Sequence, residues 1–500
     1  MQSLLPENLD SFLFTTLELM AALFILAMGI GVVVVAVLYV IDRSQTQQTI
    51  RRNYPVIGRF RYLFEHMGEF FRQYFFAMDR EEMPFNRAQR SWAYRAAKNL
   101  DNTVAFGSTK DLSKPGTILF VNTPYPTLSK DAVGISPLII GPECEKPFTA
   151  KSLVNISGMS FGALSKPAVQ ALSKGAKMAD CWLNTGEGGL SPWHLEGGCD
   201  IVFQIGTAKY GVRDEQGQLS ESKLKAIASH DNVRMFEIKL SQGAKPGKGG
   251  ILPAAKVTKE IAHIRGIPEG ESSISPNRHP EIRSAADLLD MINQVRNATG
   301  KPTGFKAVLG SPEWLDELFS EINVRGASSA PDFITLDSSD GGTGAAPMPL
   351  MDDVGLPLKE TLPMLVNKLH EYQLRQRIKV ICSGKLITPS AVATAICVGA
   401  DFVVSARGFM FSLGCIQALQ CNKNTCPTGI TTHSKDLQQG LNPEDKSVRV
   451  FHYQQNLQYE VGVIAHSCGV AEPRLLKRHH ARMVTPEGRS VSLEELYRFH

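Results

Sequence analysis

The chain of 500 residues is 43% apolar and carries a formal net charge of +4. This length and composition allow a large buried core, and they fit a single (β/α) barrel with extensions better than three small domains. The near-neutral charge, without a basic stripe interleaved with aromatic residues, argues against a nucleic-acid partner.

The first predicted element is a membrane-spanning helix. Residues Leu19 to Ile41 form an uncharged stretch of 23 residues, and at 1.5 Å per residue such a helix crosses a bilayer core of about 30 Å. Arginines follow the span and none precedes it, so the positive-inside rule places the C-terminal side in the cytoplasm. Residues 1–18, with Glu7 and Asp10, would form a short tail outside. The following arginines are Arg43, Arg51, Arg52, Arg59, Arg61 and Arg72.

Residues 42–140 are predicted to form a juxtamembrane helical and linker region. Within it, seven apolar residues recur at helical spacing, which indicates an amphipathic helix. The sequence leaves open whether this helix lies on the membrane surface or packs against the catalytic domain. The seven residues are Phe60, Leu63, Phe64, Met67, Phe71, Tyr74 and Phe75.

The segment from residue 141 to residue 433 is predicted to be a TIM barrel. Short β-branched runs alternate here with longer segments compatible with helices, which is typical of βα units around a parallel sheet. In this fold, active-site groups lie on loops after the carboxyl ends of the strands. The eight runs are Leu153 to Ser157, Trp182 to Thr185, Ile201 to Ile205, Met235 to Leu240, Gly304 to Leu309, Phe333 to Asp337, Lys379 to Cys382 and Phe402 to Ser405.

Glycine-rich loops follow six of these runs, and glycine lets the backbone approach a ligand closely. The last two loops, Ser383 to Lys385 and Ala406 to Gly408, occupy positions that commonly bind phosphate in this fold. A phosphate-bearing redox cofactor is therefore expected, and FMN suits a barrel better than a dinucleotide. We find no Rossmann fingerprint for NAD(P)H or FAD.

Three closely spaced cysteines, Cys415, Cys421 and Cys426, lie beyond the eighth run. Thiolates at this spacing indicate an iron-sulfur cluster, and three ligands suit a [3Fe-4S] type. A zinc site would want a fourth ligand, for which His433 and Cys468 are the poor candidates. Three buried free thiols are the remaining alternative. The other six cysteines show no paired spacing, as expected for reduced core residues.

Five motifs occur in order along the barrel segment and the cysteine run that follows it. They are Ser-Gly-Met-Ser-Phe-Gly-Ala, Asn-Thr-Gly-Glu-Gly-Gly, Gln-Gly-Ala-Lys-Pro-Gly-x-Gly-Gly, Asp-Gly-Gly-Thr-Gly-Ala and the cysteine run ending in Cys-Pro-Thr-Gly. Through these motifs the chain, over about Gly141 to His433, resembles the FMN- and iron-sulfur-binding synthase domain of glutamate synthase, in its short membrane-anchored bacterial form.

The resemblance implies that ammonia and 2-oxoglutarate give 2-iminoglutarate, which takes a hydride from reduced FMN to form L-glutamate. It implies Lys245 as the cation for a substrate carboxylate, Gln242 as a neighbouring donor, and Glu187 for protonation or imine orientation. Lys306 would neutralise the reduced flavin. Residues Gly158, Met159 and Ser160 would contact the isoalloxazine ring. The FMN ribose and phosphate cradle would comprise Gly341, Gly342, Thr343, Gly344, Ser383, Gly384, Lys385, Arg407 and Gly408.

With the apolar span and the arginines that follow it, we expect a single-pass protein of the bacterial inner (cytoplasmic) membrane with its catalytic domain in the cytoplasm, and residues 434–500 are expected to pack on the barrel. No cysteine precedes Cys144, so we expect no encoded glutaminase, and nitrogen would come as ammonia or from a partner. Electrons would come from ferredoxin or a separate NAD(P)H-oxidising subunit.

Three alternatives stay open on the sequence. One is a related synthase that uses another amine or 2-oxo acid, because Ser275 to Glu281 and Ser338 to Ser339 depart from the family pattern. The second is a membrane-tethered flavin and iron-sulfur electron-transfer subunit. The third is a TIM-barrel lyase without redox chemistry, which the cysteine run disfavours.

Overall fold

A computed structural model describes residues 7–498. The side chains of residues 7–10, 69 and 70 are outside this description, so the predicted placement of Glu7, Asp10 and residues 1–6 lies outside the described residues. Contacts divide the chain into two compact units, the first ending at Ala88 and the second beginning at Gln89. The predicted domain limits stay a prediction.

The first unit consists of helices. The N-terminal helix is Glu7–Ser44, and an 18-residue window within Ser11–Ser44 has a mean hydropathy of 2.9, with no residue of that window buried. By length and composition this helix can cross a membrane, a property that a signal sequence shares. Short helices follow at Thr49–Asn53 and Gly58–Phe71, and a π-helical turn at Arg72–Phe76 continues the last of them.

In the second unit, eight parallel strands close into a barrel, so the predicted TIM barrel is confirmed. Each strand end lies within two residues of its predicted position. The closing pair joins the last strand to the first, with Val403 opposite Val154. The strands are β1 Val154–Ile156, β2 Leu183–Asn184, β3 Ile201–Ile205, β4 Val233–Lys239, β5 Thr303–Val308, β6 Phe333–Asp337, β7 Lys379–Ser383 and β8 Phe402–Ser405.

Helices surround this barrel, as expected when parallel strands must bury both faces. The longest, Pro443–Ser467, packs on Lys166–Met178. The two approach closely at Gly175, where a Cβ would lie 2.5 Å from the side chain of Val450. The remaining helices of five or more residues in this unit are Glu221–Ala228, Lys259–Arg265, Ala285–Thr299, Glu313–Arg325, Met348–Asp352, Leu358–Glu371, Pro389–Val398 and Arg407–Leu413, and Arg87–Ala97 crosses the unit limit.

An antiparallel hairpin closes the N-terminal end of the barrel. Its strands, Leu138–Ile140 and Phe148–Ala150, join a buried cluster with Trp182 and Phe402, which stand where β2 and β8 begin. The ring centroids of Phe148 and Trp182 are 6.2 Å apart. Because aromatic side chains fill this end, the carboxyl ends of the strands are the end left for a ligand.

The same N-terminal end carries a buried ion network. Asp332, just before β6, is fully buried and pairs with Arg296 at 3.0 Å and with Arg377 at 2.9 Å. It also accepts the Thr303 amide hydrogen at 2.9 Å, at the start of β5. This carboxylate therefore joins neighbouring strands far from the carboxyl-end loops.

Two further small sheets lie outside the barrel. Strand Ile118–Phe120 pairs with Ala481–Val484, which pairs with Ser490–Ser492, so the two ends of the second unit meet in one sheet. Strand Ile251–Leu252 pairs with Ser273–Ile274 in the long connection after β4.

Candidate active site

Inside the barrel, a buried carboxylate ties four strands together. Glu237 of β4 is 2% exposed. It accepts hydrogen bonds from Asn184 at 2.8 Å, Gln204 at 2.7 Å and Thr335 at 2.5 Å. A buried carboxylate needs such donors to offset the loss of water. The result is a rigid, negatively charged floor beneath the carboxyl-end loops.

Above this floor, Lys306 of β5 pairs with Asp337 at the end of β6, with Nζ and Oδ2 3.0 Å apart. Burial alone would lower the pKa of Lys306, but the charges of Asp337 and Glu237 raise it above its ordinary value. Burial likewise opposes ionisation of Asp337, yet Lys306 and the Gly243 amide hydrogen keep its pKa low. Lys306 is therefore a fixed cation in the barrel interior, where it lines the same small cavity as Glu237.

A second charged group brings together residues from two loops. Glu187 lies in a 3₁₀ turn, Gly186–Gly188, and its Oε2 is 3.1 Å from Nζ of Lys239, the last residue of β4. The Lys239 ammonium also donates to Gln242 Oε1. Burial would raise the pKa of Glu187, but Lys239 and Lys245 hold it below its usual value, so Glu187 is ionised.

Glycines pack tightly around the Glu187 side chain. A Cβ on Gly206 would lie 2.5 Å from Glu187 Cβ, and one on Gly250 would lie 2.1 Å from Oε1. Any larger residue at either position would displace the carboxylate. Gly250, at the end of the Gln-Gly-Ala-Lys loop, is therefore needed for close packing between the loop after β4 and the loop after β2.

Lys245 lies in the same loop and is only 3% exposed. Within residues 7–498, no carboxylate is paired directly with its ammonium group. Burial lowers the pKa of Lys245 to about 8; the neighbouring Lys239 adds to this effect and Glu187 opposes it. A buried lysine without a direct counter-ion is costly, and an anionic ligand would relieve that cost.

The first loop is held against the second by backbone contacts. The Met159 amide donates to the Asn184 carbonyl at 3.0 Å, and a Cβ on Gly186, whose φ is +63°, would lie 2.8 Å from the Ser160 nitrogen. A Cβ on Gly158 would come within 3.2 Å of Gly186 Cα. The structure thus brings all three predicted ring-contacting residues, Gly158 to Ser160, beside the Glu187 turn.

Two histidines that the sequence analysis missed hold this arrangement. His194 is buried, and burial lowers its pKa to about 4. Because its Nδ1 accepts the Ser191 amide hydrogen, its Nε2 carries the proton and donates to the Met159 carbonyl at 2.8 Å. His279, also buried, contacts the Lys239 carbonyl through Nε2 at 3.0 Å. Both are neutral positioning groups rather than ligands for an anion.

The residues predicted as a phosphate cradle gather after β6, β7 and β8. Lys385 pairs with Asp340 at 3.1 Å, and Arg407 Nη2 lies 3.4 Å from the Asp340 carbonyl. A Cβ on Gly342 would lie 2.7 Å from the Arg407 side chain, whereas Gly344 has open space around it. Thr343 lies between these two glycines, and Ser383, at the end of β7, hydrogen bonds Asp337.

Several glycines of this group have structural explanations. A Cβ on Gly341 would lie 3.1 Å from Gly243 Cα. A Cβ on Gly384, whose φ is +118°, would lie 2.3 Å from the Ser338 side chain. The Gly408 amide donates to Ser405 Oγ at 3.3 Å, and a Cβ there would lie 2.1 Å from the Tyr453 hydroxyl. Packing alone therefore requires glycine at 384 and 408, and their predicted contact with phosphate stays a prediction.

The three cysteines follow the short helix Arg407–Leu413. Burial raises the pKa of Cys415 to about 12, and the charges of Cys421 and Cys426 contribute in the same direction. Lys256, itself buried, donates to the Cys421 carbonyl at 3.2 Å. In the described part of the chain, no group of three or more His, Cys, Asp or Glu side chains is placed to hold a metal ion. The iron-sulfur site stays a prediction.

Comparison with known proteins gives consistent matches. The sequence family described as "Conserved region in glutamate synthase" matches residues 119–471. The glutamate synthase large subunit-like protein YerD of Bacillus subtilis (strain 168) is 39% identical over 94% of this chain and 96% of its own length. The archaeal glutamate synthase (NADPH) of Methanocaldococcus jannaschii is 34% identical over 68% of this chain and 63% of its own length.

Among solved structures, the chain is similar to a mutant of the active chimera of (S)-mandelate dehydrogenase. The TM-score is 0.47 and the sequence identity 14%, over 79% of this chain and 98% of that chain. This likeness is too distant to bear on function.

Proposed function

The chain belongs to the glutamate synthase family and is an oxidoreductase, and from this premise we propose that it forms L-glutamate by reductive amination of 2-oxoglutarate. The observation that carries the proposal is the buried, directly uncompensated ammonium of Lys245 beside the Glu187, Lys239 and Gln242 group. A dicarboxylate substrate would supply the missing anion.

FMN is the cofactor that we propose for this site, where it would supply the hydride that reduces the substrate imine. The residues present fit it. Lys306 is a fixed cation inside the barrel, the backbone of Gly158 to Ser160 lies beside the Glu187 turn, and Lys385 and Arg407 provide positive charge for a phosphate. Open space at Gly344 is consistent with a close approach of the ligand to the backbone.

The chain's own residues would bind the substrate carboxylate and orient the imine. Lys245 would bind one substrate carboxylate, and Gln242, whose Oε1 is held by Lys239, would donate from its Nε2. Glu187 is ionised, so it would orient the nitrogen of the imine and stabilise its protonated form, which is the form that accepts a hydride. The glycines around Glu187 would keep its carboxylate at one position.

Cys415, Cys421 and Cys426 would hold a [3Fe-4S] cluster, which supplies single electrons when bound. Their spacing in the sequence supports this, as does the buried ammonium of Lys256 in contact with the same loop. Electrons would come from a separate donor, either ferredoxin or an NAD(P)H-oxidising subunit, and the name of the archaeal relative includes NADPH. Nitrogen would come as ammonia or from a partner that supplies an amine.

We further propose that the N-terminal helix anchors the protein in the bacterial inner (cytoplasmic) membrane as a single span, residues 19–41, with the barrel in the cytoplasm. Its hydropathy and the arginines that follow it support this placement. Residues 1–18 would form the outer tail, 42–140 the juxtamembrane region, 141–433 the barrel domain and 434–500 its extension.

The test uses full-length protein in detergent, purified without oxygen and reduced chemically. Flavin absorbance is followed after addition of 2-oxoglutarate, ammonium or both. We expect reoxidation that requires both compounds, with matching glutamate. Reoxidation only with another amine or 2-oxo acid would favour the related synthase. A flavin that stays reduced with every such pair of compounds would favour the electron-transfer subunit.

A further inference from the structure

The helix Gly58–Phe71, here called the juxtamembrane helix, exposes an apolar face within its own compact unit. Phe60, Leu63, Phe64 and Phe71 recur at intervals of three, four and seven residues, so they lie on one side of the helix. All four side chains are exposed, and Phe64 is the most exposed of them at 63%. The π-helical turn continues the exposed aromatic run with Phe75 and Phe76, which is unusual for a surface in water.

Basic side chains flank this face. Arg61 is 57% exposed and pairs only loosely with Glu65, at 3.9 Å. Arg72 is exposed and donates to the Gly68 carbonyl in its own helix. A helix with an aromatic face and arginines at its borders has the chemistry of a segment that lies in a lipid interface containing acidic headgroups.

A buried carboxylate joins this helix to the end of the apolar span. Asp42, the residue after Ile41, accepts from Arg51 at 2.7 Å and 2.9 Å and from two nitrogens of Arg59 at 2.8 Å. It also accepts the Val56 amide hydrogen at 3.0 Å. Gly58 makes the turn possible, because a Cβ there would lie 2.8 Å from the Ile50 carbonyl oxygen.

We propose that the juxtamembrane helix lies flat in the cytoplasmic interface of the same bilayer that the N-terminal helix spans, with its aromatic face among anionic lipids. Asp42 joins the two helices through its ion pair with Arg59. The proposal rests on the membrane anchoring proposed above. Arg59, in the first turn of the helix, pairs with Asp42, the first residue after the apolar span. The helix must therefore begin at the level of the membrane boundary.

The occupant of the aromatic face can be identified directly. Full-length protein with p-benzoylphenylalanine in place of Phe64 is reconstituted into vesicles of neutral lipid with or without a fifth of phosphatidylglycerol, and then irradiated. A second protein with the same substitution at Glu65, on the polar side of the helix, is the matched control. Resistance to carbonate extraction is measured in parallel to test the span itself.

We expect phospholipid adducts at position 64 that exceed those at position 65 at least fivefold and increase with the anionic lipid. In Asp42→Asn, the adducts at position 64 should fall severalfold while the protein still resists carbonate. Crosslinks from position 64 to residues of the barrel, or equal lipid adducts at both positions, would overturn the proposal. Complete extraction by carbonate would instead refute the anchoring on which it rests.

Discussion

Replacing Lys245 with glutamine should remove most of the affinity for 2-oxoglutarate. The Lys245 ammonium is buried and has no direct carboxylate partner, so a substrate carboxylate would be its counter-ion. A hydrogen bond to a charged group contributes about 1.5–3 kcal/mol. Since about 1.4 kcal/mol corresponds to a factor of ten, the dissociation constant should rise about 10- to 150-fold in Lys245→Gln.

The affinity of the unaltered protein should also depend on pH. Burial lowers the pKa of Lys245 to about 8, so the group is cationic below that pH and loses its charge as the pH rises through it. A dianionic substrate prefers the cationic form. Affinity should therefore be constant between pH 6.5 and 7.5 and then fall, by up to about tenfold per pH unit above 8.

The assay is equilibrium titration of oxidised, flavin-loaded protein with 2-oxoglutarate across this pH range. Lys248→Gln is the matched control, because Lys248 is an exposed lysine three residues away in the same loop. It should leave the affinity nearly unchanged, whereas Lys245→Gln should be both weak and independent of pH near 8. Equal effects of the two substitutions, or no change in affinity through pH 8, would refute the assignment of Lys245 as the carboxylate-binding cation.

Three other variants test separate parts of the molecule. Asp332→Ala leaves Arg296 and Arg377, whose side chains are 12% and 11% exposed, without their carboxylate. It should lower the free energy of unfolding by about 3–5 kcal/mol, measured by urea denaturation; a loss below 1 kcal/mol would contradict a stabilising role of this ion network. Gly408→Ala places a Cβ 2.1 Å from the Tyr453 hydroxyl and should destabilise the fold by about 1–3 kcal/mol through overpacking; an unchanged melting temperature would leave phosphate contact as the better reason for this glycine. Cys421→Ser should abolish bound iron, whereas Cys468→Ser should retain it; iron content that is equal in both would refute the proposed ligands.

The barrel could be predicted because parallel strands that are buried on both faces appear as short apolar runs between helical segments. Strand β6, Phe333–Asp337, is such a run and was located at both ends. The small sheet that joins Ile118–Phe120 to Ala481–Val484 could not be predicted in the same way. Its strands have three and four residues and are separated by most of the unit, so only tertiary packing specifies their pairing.

Much of the candidate site was also visible in the sequence, since motifs placed Glu187 on the loop after β2 and Gln242 and Lys245 on the loop after β4. Lys239 and Asp337 were overlooked as partners because they belong to strands, although a charged residue at the carboxyl end of an apolar strand is a usable signal. His194 could not be found from a motif: it acts through one backbone carbonyl, a contact that only the folded chain defines.

We propose that this protein adds ammonia to 2-oxoglutarate and reduces the product to glutamate. The most direct measurement is a single turnover of chemically reduced, full-length protein with ¹⁵N-ammonium and 2-oxoglutarate, with the product analysed by mass spectrometry. We predict one ¹⁵N-labelled L-glutamate for each two electrons lost from the protein. Electron loss without labelled glutamate, in protein that retains its flavin and binds 2-oxoglutarate, would contradict the account.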